Sequence, residues 1–314
     1  MSVFVGRRDE IAEIAALFER ARLVTLSGAG GVGKTRLGLE LVRMVAPGAA
    51  VVDVAETDGP DALVSAVLDA VGGSTAPLLV LDTCEVLIGR VATLVGELLT
   101  ADPGLRVLAI GRQSLAVPGE HLRVLTGLPP KDACALLADL SGVWLPEVCV
   151  RLDGLPLAIE LAAARLRTMS AADVLSGLED RFDLLVDEGR DGPPRHRALA
   201  TCIGWSHQLC TAQERLFWAR ASVFGGEFDL DSATYVCQDD TLRAEDMIDV
   251  ITGLVDKSVL LCRQVPGGVR FRMLDGLREF GAGWLALLGQ EHAVRLRRHD
   301  LRLAPRDQGP PGRP

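Results

Sequence analysis

The chain has 314 residues, 48% of them hydrophobic, enough to fill more than one core, so two or three domains are expected. No apolar stretch reaches membrane-spanning length, and the start, Phe4-Val5-Gly6-Arg7-Arg8-Asp9, carries no apolar signal core; both predict a soluble, cytoplasmic protein without a membrane partner. The net charge of −9 opposes an extended phosphate-backbone surface, and seven scattered cysteines and five separated histidines form no metal-ligand spacing, so the thiols read as reduced and mostly buried.

To about residue 126, apolar runs alternate with helix-like segments, the pattern of a parallel α/β sheet. Strands are predicted at 23–26, 50–54, 78–82, 106–110 and 122–125, all read as buried on both faces. Helices are predicted at 8–21, with Ile11, Ile14, Ala15 and Phe18 on one face, at 34–45, and at 61–71 after Asp58-Gly59-Pro60. After Thr126-Gly127-Leu128-Pro129-Pro130 the strand signal stops, and residues 127–186 read as a small all-helical domain with helices at 131–140, 146–152, 156–167 and 171–178. Ser170 with Asp173 suggests a capping-box variant on the last of these.

Asp187 to Pro194 reads as a linker. A third domain, 195–290, follows. It has helices at 196–209, 211–223 (with Thr211 and Glu214 as a capping box), 230–237 and 244–255, then strands at 259–263 and 269–274 around Pro266-Gly267-Gly268, then a helix at 275–288, an order that suggests a winged helix. Trp205, Phe217, Trp218 and Phe224 recur at helical spacing and read as core anchors. The basic run Arg295, Arg297, Arg298, His299, Arg302 and Arg306 leads into a Pro/Gly-rich end, so residues 291–314 read as a solvated, disordered tail, with a nucleic-acid patch as the rival reading.

The chemistry concentrates at Gly28-Ala29-Gly30-Gly31-Val32-Gly33-Lys34-Thr35, a Gly-x-x-x-x-Gly-Lys-Thr pattern set between a predicted strand and a predicted helix. Glycines let backbone N–H groups turn inward around phosphate oxygens, and the helix start adds a positive dipole end. Lys34 is expected to bridge the β- and γ-phosphates of a bound nucleotide, and the Thr35 hydroxyl to ligate Mg²⁺. Asp82, ending the apolar strand Leu78-Leu79-Val80-Leu81-Asp82, is the expected magnesium-side acid. Glu85 reads either as the residue that polarises attacking water or as a solvated helix-start acid. Arg112, after the strand ending at Ile110, either reaches the γ-phosphate or lies on the surface.

With these residues placed, the chain resembles the STAND class of P-loop nucleotide switches, of the NB-ARC type, and is similar to ATPase modules of large bacterial transcriptional regulators of the LuxR/SARP type. The resemblance covers almost the whole chain. It rests on Phe4-Val5-Gly6-Arg7-Arg8-Asp9-Glu10, the P-loop, Leu78 to Glu85, Arg112, Leu152-Asp153-Gly154-Leu155-Pro156-Leu157-Ala158-Ile159-Glu160-Leu161-Ala162 and Phe271-Arg272-Met273-Leu274-Asp275. It implies Arg112 as the sensor of the γ-phosphate. It adds Val5, Gly6, Arg7, Arg36, Leu155 and Pro156 to the nucleotide contacts, adenine as the base, and a winged helix that closes over ADP. A protein partner or self-assembly is implied for the ATP state. Thr83, Val86, the residues before Arg112 and Leu274 depart from the family pattern, which bears on hydrolysis more than on binding.

Three functions compete: a regulatory ATP/ADP switch, a DNA-binding regulator acting through its winged helix, and a P-loop kinase or hydrolase with a small-molecule acceptor. No Gly-x-Ser-x-Gly occurs, and Cys84 has no identifiable histidine partner, so serine and cysteine hydrolases are set aside.

Overall fold

The computed structural model describes residues 4–74, 77–186 and 198–303. The chain forms two compact units, Met1–Cys149 with Gly154–Ala163, and Val150–Asp153 with Ala164–Pro314.

The first unit is built on five parallel strands, β1 (Leu23–Gly28), β2 (Ala50–Asp53), β3 (Leu78–Asp82), β4 (Arg106–Ile110) and β5 (Glu120–Leu125), in the order β2-β3-β4-β1-β5. Helices α1 (Arg8–Leu17), α2 (Lys34–Val45), α3 (Pro60–Gly72), α4 (Ile88–Ala101), α5 (Pro130–Ser141), α6 (Pro146–Arg151) and α7 (Pro156–Leu166) accompany them. Strands β1 and β3 are buried throughout and β4 beyond Arg106, as unbroken Val/Leu/Ile runs require when helices cover both faces. The outer strands depart from the prediction. β2 and β5 are the sheet's edges, with Val51, Leu122 and Val124 43%, 47% and 44% exposed. In β5 the apolar residues alternate with Glu120, His121 and Arg123, and charge on an edge strand deters further pairing. Helix α4 shows how the core closes: Val91, Leu94, Val95 and Leu99 fall at helical spacing and are buried with Leu79, Leu81, Val107 and Ala109. Each such side chain contributes roughly 1.5–3 kcal/mol.

Helix α5 and most of α6 and α7 are compact with this sheet, so the expected separate domain 127–186 is shared between the two units. The expected linker 187–194 lies outside the described residues.

The second unit comprises α8 (Ala171–Gly177), α9 (Arg181–Leu184), α10 (Leu199–Gln208), α11 (Ala212–Ala221), α12 (Leu230–Cys237), α13 (Met247–Asp256), the antiparallel hairpin β6 (Leu260–Val265) and β7 (Gly268–Met273), α14 (Asp275–Leu287) and α15 (Glu291–Leu303). The capping box of Thr211 and Glu214 starts α11, and the Ser170 hydroxyl accepts from Asp173 N–H at the start of α8. Phe217, Trp218 and Phe224 are buried, and the Trp218 indole donates to the Leu277 carbonyl at 2.8 Å; Trp205 is only half-buried. The basic segment expected to be a disordered tail is helical through Leu303: Val294 is fully buried, and the Arg297 guanidinium donates to the Gln238 carbonyl at 2.7 Å. Charge density hid a helix that one apolar anchor and its arginine contacts hold in place.

Candidate functional site

Sheet register brings the predicted residues to one edge. Leu26 of β1 pairs with Ile110 of β4, and Ala109 of β4 pairs with Leu81 of β3, so the loops after all three strands leave at one level. β4 separates β1 from β3, which puts those two strands about 10 Å apart, with Asp82 level with Leu26 and Gly28 two residues further on. Ligands of open parallel sheets bind at such carboxyl ends.

From β1 the chain enters the loop Gly28 to Gly33. Gly31 and Gly33 have φ of 79° and 93°, conformations that favour glycine. The loop is held from behind by α7: Leu157 N–H donates to the Gly31 carbonyl at 3.1 Å, and a Cβ at Gly31 would sit 2.8 Å from Leu157 Cβ. The amides of Gly30, Gly31 and Gly33 donate to no main-chain carbonyl among the described residues. No side chain caps α2, whose N-cap is Gly33. An uncapped helix start beside amides without main-chain acceptors suits an anion. The Lys34 ammonium donates to the carbonyls of Gly28 at 2.7 Å and Ala29 at 3.1 Å, folded back over the loop.

Opposite the loop, the Thr35 hydroxyl donates to the Asp82 carboxylate, joining the two residues predicted to serve one metal. Burial raises the Asp82 pKa; Thr35 and the Thr83 amide, which donates to Asp82 Oδ1 at 2.8 Å, oppose that rise, while Asp53 and Glu85 add to it. A hydroxyl and a carboxylate, with two more carboxylates nearby, are hard oxygen donors of the kind Mg²⁺ takes. Among the described residues no three His, Cys, Asp or Glu side chains converge closely enough to hold a metal by themselves. The residues therefore fit Mg²⁺ bound jointly with phosphate oxygens, its usual mode in nucleotide sites.

Glu85 and Arg112 are both buried and paired with each other, Arg112 Nε donating to Glu85 Oε1 at 3.2 Å. Glu85 stands in the first turn of the short helix Cys84–Leu87 but is buried rather than solvated, and Arg112 is not at the surface. Glu85 Oε2 is buried without a hydrogen-bond partner.

The amino-terminal segment meets the loop from the other side. The Arg7 guanidinium donates to the carbonyls of Val32 at 3.2 Å and Thr126 at 2.7 Å and to Glu10 at 2.8 Å. A small cavity of about 40 Å³ next to Gly33 is lined by Phe4, Val5, Arg7, Leu136, Pro156 and Glu160 among others. Arg36 also lines it, lying over the Phe4 ring and 3.4 Å from Glu160. Of the segment and turn residues singled out, Val5, Arg7 and Pro156 reach the cavity; Gly6 packs against Asp132, and Leu155 is buried away from the cavity lining.

Sequence reasoning missed Asp53, Phe4, Leu157 and Glu160. Asp53 carried a signal, a carboxylate at the C-terminal end of an apolar strand, and the register pairs it with Asp82. Leu157 and Glu160 stood within a quoted motif, but contact with the loop and with Arg36 follows only from the fold.

No protein-family model matches the chain. It is 36% identical over 298 residues to "Putative HTH-type transcriptional regulator Rv0890c" of Mycobacterium tuberculosis, a match covering 84% of this chain and 34% of that one, so the chain spans about a third of that relative's length. Among solved structures, the Walker-type ATPase PABY2304 of Pyrococcus abyssi superposes with a TM-score of 0.60 at 10% identity, covering 88% of this chain and 95% of that chain, a likeness of fold. A STAND protein of Pyrococcus horikoshii with a tetratricopeptide repeat sensor superposes at 0.39 and 16% identity over 98% of this chain and 46% of its own, too loosely to carry an inference. Among the described residues no helix is long and apolar enough to cross a membrane. "Uncharacterized protein Rv0894" of Mycobacterium tuberculosis is 32% identical over 340 residues, covering 95% of this chain and 86% of that protein, and the chain, whose sheet unit has a P-loop NTPase fold, therefore belongs to one family with it.

Proposed function

We propose that the chain is an ATP- and ADP-binding regulatory switch of the STAND, NB-ARC type, with slow or absent hydrolysis. The observation that carries this reading is the open amide loop leading into the uncapped start of α2, facing the Thr35–Asp82 pair. In this reading the Lys34 ammonium leaves the Gly28 and Ala29 carbonyls for the β- and γ-phosphates. Mg²⁺, when bound, neutralises phosphate charge. Thr35 and Asp82 would hold it, and the base would enter beside Val5, Arg7 and Pro156 by displacing Phe4 and Arg36 from the narrow cavity. Glu85 would take the proton of the attacking water, but its carboxylate is tied to Arg112, which suits slow turnover. Residues 195–290 would act as a winged-helix latch, opening in the ATP state toward a protein partner or a second copy.

The HTH name of one relative motivates a DNA-binding alternative. Against it, α13, which precedes the hairpin where a winged helix carries its reading helix, exposes Ile248, Asp249, Thr252 and Asp256, two acids and no base.

The test is calorimetric titration of ATP and ADP with Mg²⁺ into the wild-type chain and Lys34→Ala, with mass spectrometry of any nucleotide released on denaturation. Removing the ammonium is expected to weaken ATP by about 10-fold or more. Equal affinity in the two proteins would end this reading, and gel shifts with promoter DNA at several salt concentrations test the alternative.

A further inference from the structure

The second unit contains a cavity of about 380 Å³, lined by α14, α15 and the end of α11, for which the nucleotide switch has no use. Its volume lies within the range of small-molecule sites, roughly 300–1,000 Å³. Helical spacing explains its walls. On α15, Glu291, Arg295, Arg298 and Arg302 succeed one another at intervals of three or four residues and make a single stripe, while Val294 and Arg297 anchor the other face. On α14, Arg278 and Ala282 share one face, and the small Ala282 leaves the room.

Four guanidinium groups and His299 thus face one concavity in a chain of net charge −9. Its one lining carboxylate, Glu291, is 2.8 Å from Arg295, and Arg278 is 3.4 Å from Asp275. Among the described residues no carboxylate pairs with Arg298 or Arg302. Arg298 is held over the Phe224 ring, 5.0 Å from its centroid, and its buried Nε has no hydrogen-bond partner. Burial, and then the charge of Arg302, lower the Arg298 pKa, as expected of a cation lacking its counter-ion. The carbonyl end of α11 at Ser222 attracts a cation, but a half-charge at a helix end cannot neutralise a cluster of this size.

We propose that this cavity binds a small, multiply phosphorylated anion, clasped by Arg298 and Arg302 with Arg278 and Arg295 at its sides. Guanidinium forks match phosphate oxygens in pairs, and several forks in one concavity select for more than one negative charge. The proposal stands apart from the P-loop reading.

The experiment titrates inorganic pyrophosphate, then fructose 1,6-bisphosphate, into the full-length Lys34→Ala chain at low ionic strength, so that the loop after β1 contributes little. Binding at a single site is expected. Arg302→Gln, at an exposed position, should weaken it by about 10-fold or more, and Ala282→Leu should weaken it by filling the cavity. Unchanged circular dichroism and Tm keep these losses from being read as unfolding. Absence of heat with both probes, or equal affinity in the well-folded Arg302→Gln protein, overturns the proposal. So does short duplex DNA that binds more tightly than either probe and loses affinity with the same substitution, which would make the arginines a nucleic-acid contact.

Discussion

Glu85 and Arg112 give the sharpest test of the sheet unit. Their side chains are 6% and 4% exposed and 3.2 Å apart. At an effective dielectric of about 20 the attraction at that distance is about 5 kcal/mol. Desolvation cancels much of this, so the pair is worth little against an apolar replacement, whereas removing one partner leaves a buried charge alone at a cost of about 3–5 kcal/mol. Arg112→Met is therefore expected to lower the stability of the β3 and β4 region by about 3 kcal/mol, and the double variant Glu85→Gln/Arg112→Met to recover most of that loss. Urea melts combined with hydrogen exchange on peptides spanning residues 78–87 and 106–113 would report the local value. A coupling energy below about 0.5 kcal/mol in the double-mutant cycle would refute the argument, because a buried pair with the stated geometry has to couple. Under the proposed switch reading, Glu85→Gln would free Arg112 for a γ-phosphate and is expected to raise the ratio of ATP to ADP affinity, while Arg112→Met is expected to lower it.

Thr83 is a β-branched residue at φ 57° between Asp82 and Cys84. Asn tolerates that conformation better, so Thr83→Asn should stabilise by about 1 kcal/mol and raise Tm by roughly 2–4 °C in differential scanning calorimetry; a fall in Tm would show that the threonine hydroxyl outweighs the strain. Asp153 accepts the Asp275 N–H at 2.7 Å, and burial first, then Asp275, push its pKa from 3.8 to about 6. A carboxyl whose folded pKa is raised stabilises most below its unfolded pKa and loses that contribution as pH climbs through the folded one. The wild-type chain should thus lose about 3 kcal/mol relative to Asp153→Asn between pH 3 and pH 7, read from urea midpoints across that window. Of the seven thiols, Cys262 alone is exposed, while burial pushes Cys149, Cys210 and Cys237 up to about 12. Native protein should therefore take up one equivalent of a thiol reagent rapidly and the remainder only in denaturant, as mass spectrometry would count.

The central strands were legible because β1, β3 and β4 are buried on both sides, and that condition writes unbroken apolar runs into the sequence. The edges were not, since Leu122 and Val124 look the same whether a helix covers them or water does, and only strand order decides. Strand order also hid the proximity of Asp53 to Asp82 and of Glu85 to Arg112: each pair comes from neighbouring strands widely separated in sequence. The α15 helix was hidden for a different reason. Its composition is that of a solvated tail, and its place in the fold depends on Val294 and on arginine stems and guanidinium groups that pack against partners unseen in the local pattern.

Arg7 illustrates the distance between a motif residue and a contact residue. It lies in a segment expected to approach the base, and it does line the cavity beside the loop. Its guanidinium, however, is 5% exposed and already donates to Val32, Thr126 and Glu10. A cation so enclosed, at φ 63°, would need to break those bonds before it could donate to a ligand, each worth about 1.5–3 kcal/mol when one partner is charged. The bonds that place Arg7 beside the cavity therefore also keep its charge from reaching into it: they fix the amino-terminal segment against the Val32 carbonyl, and in the proposed reading, with Phe4 displaced, the contacts left to a base would be Val5 and Pro156.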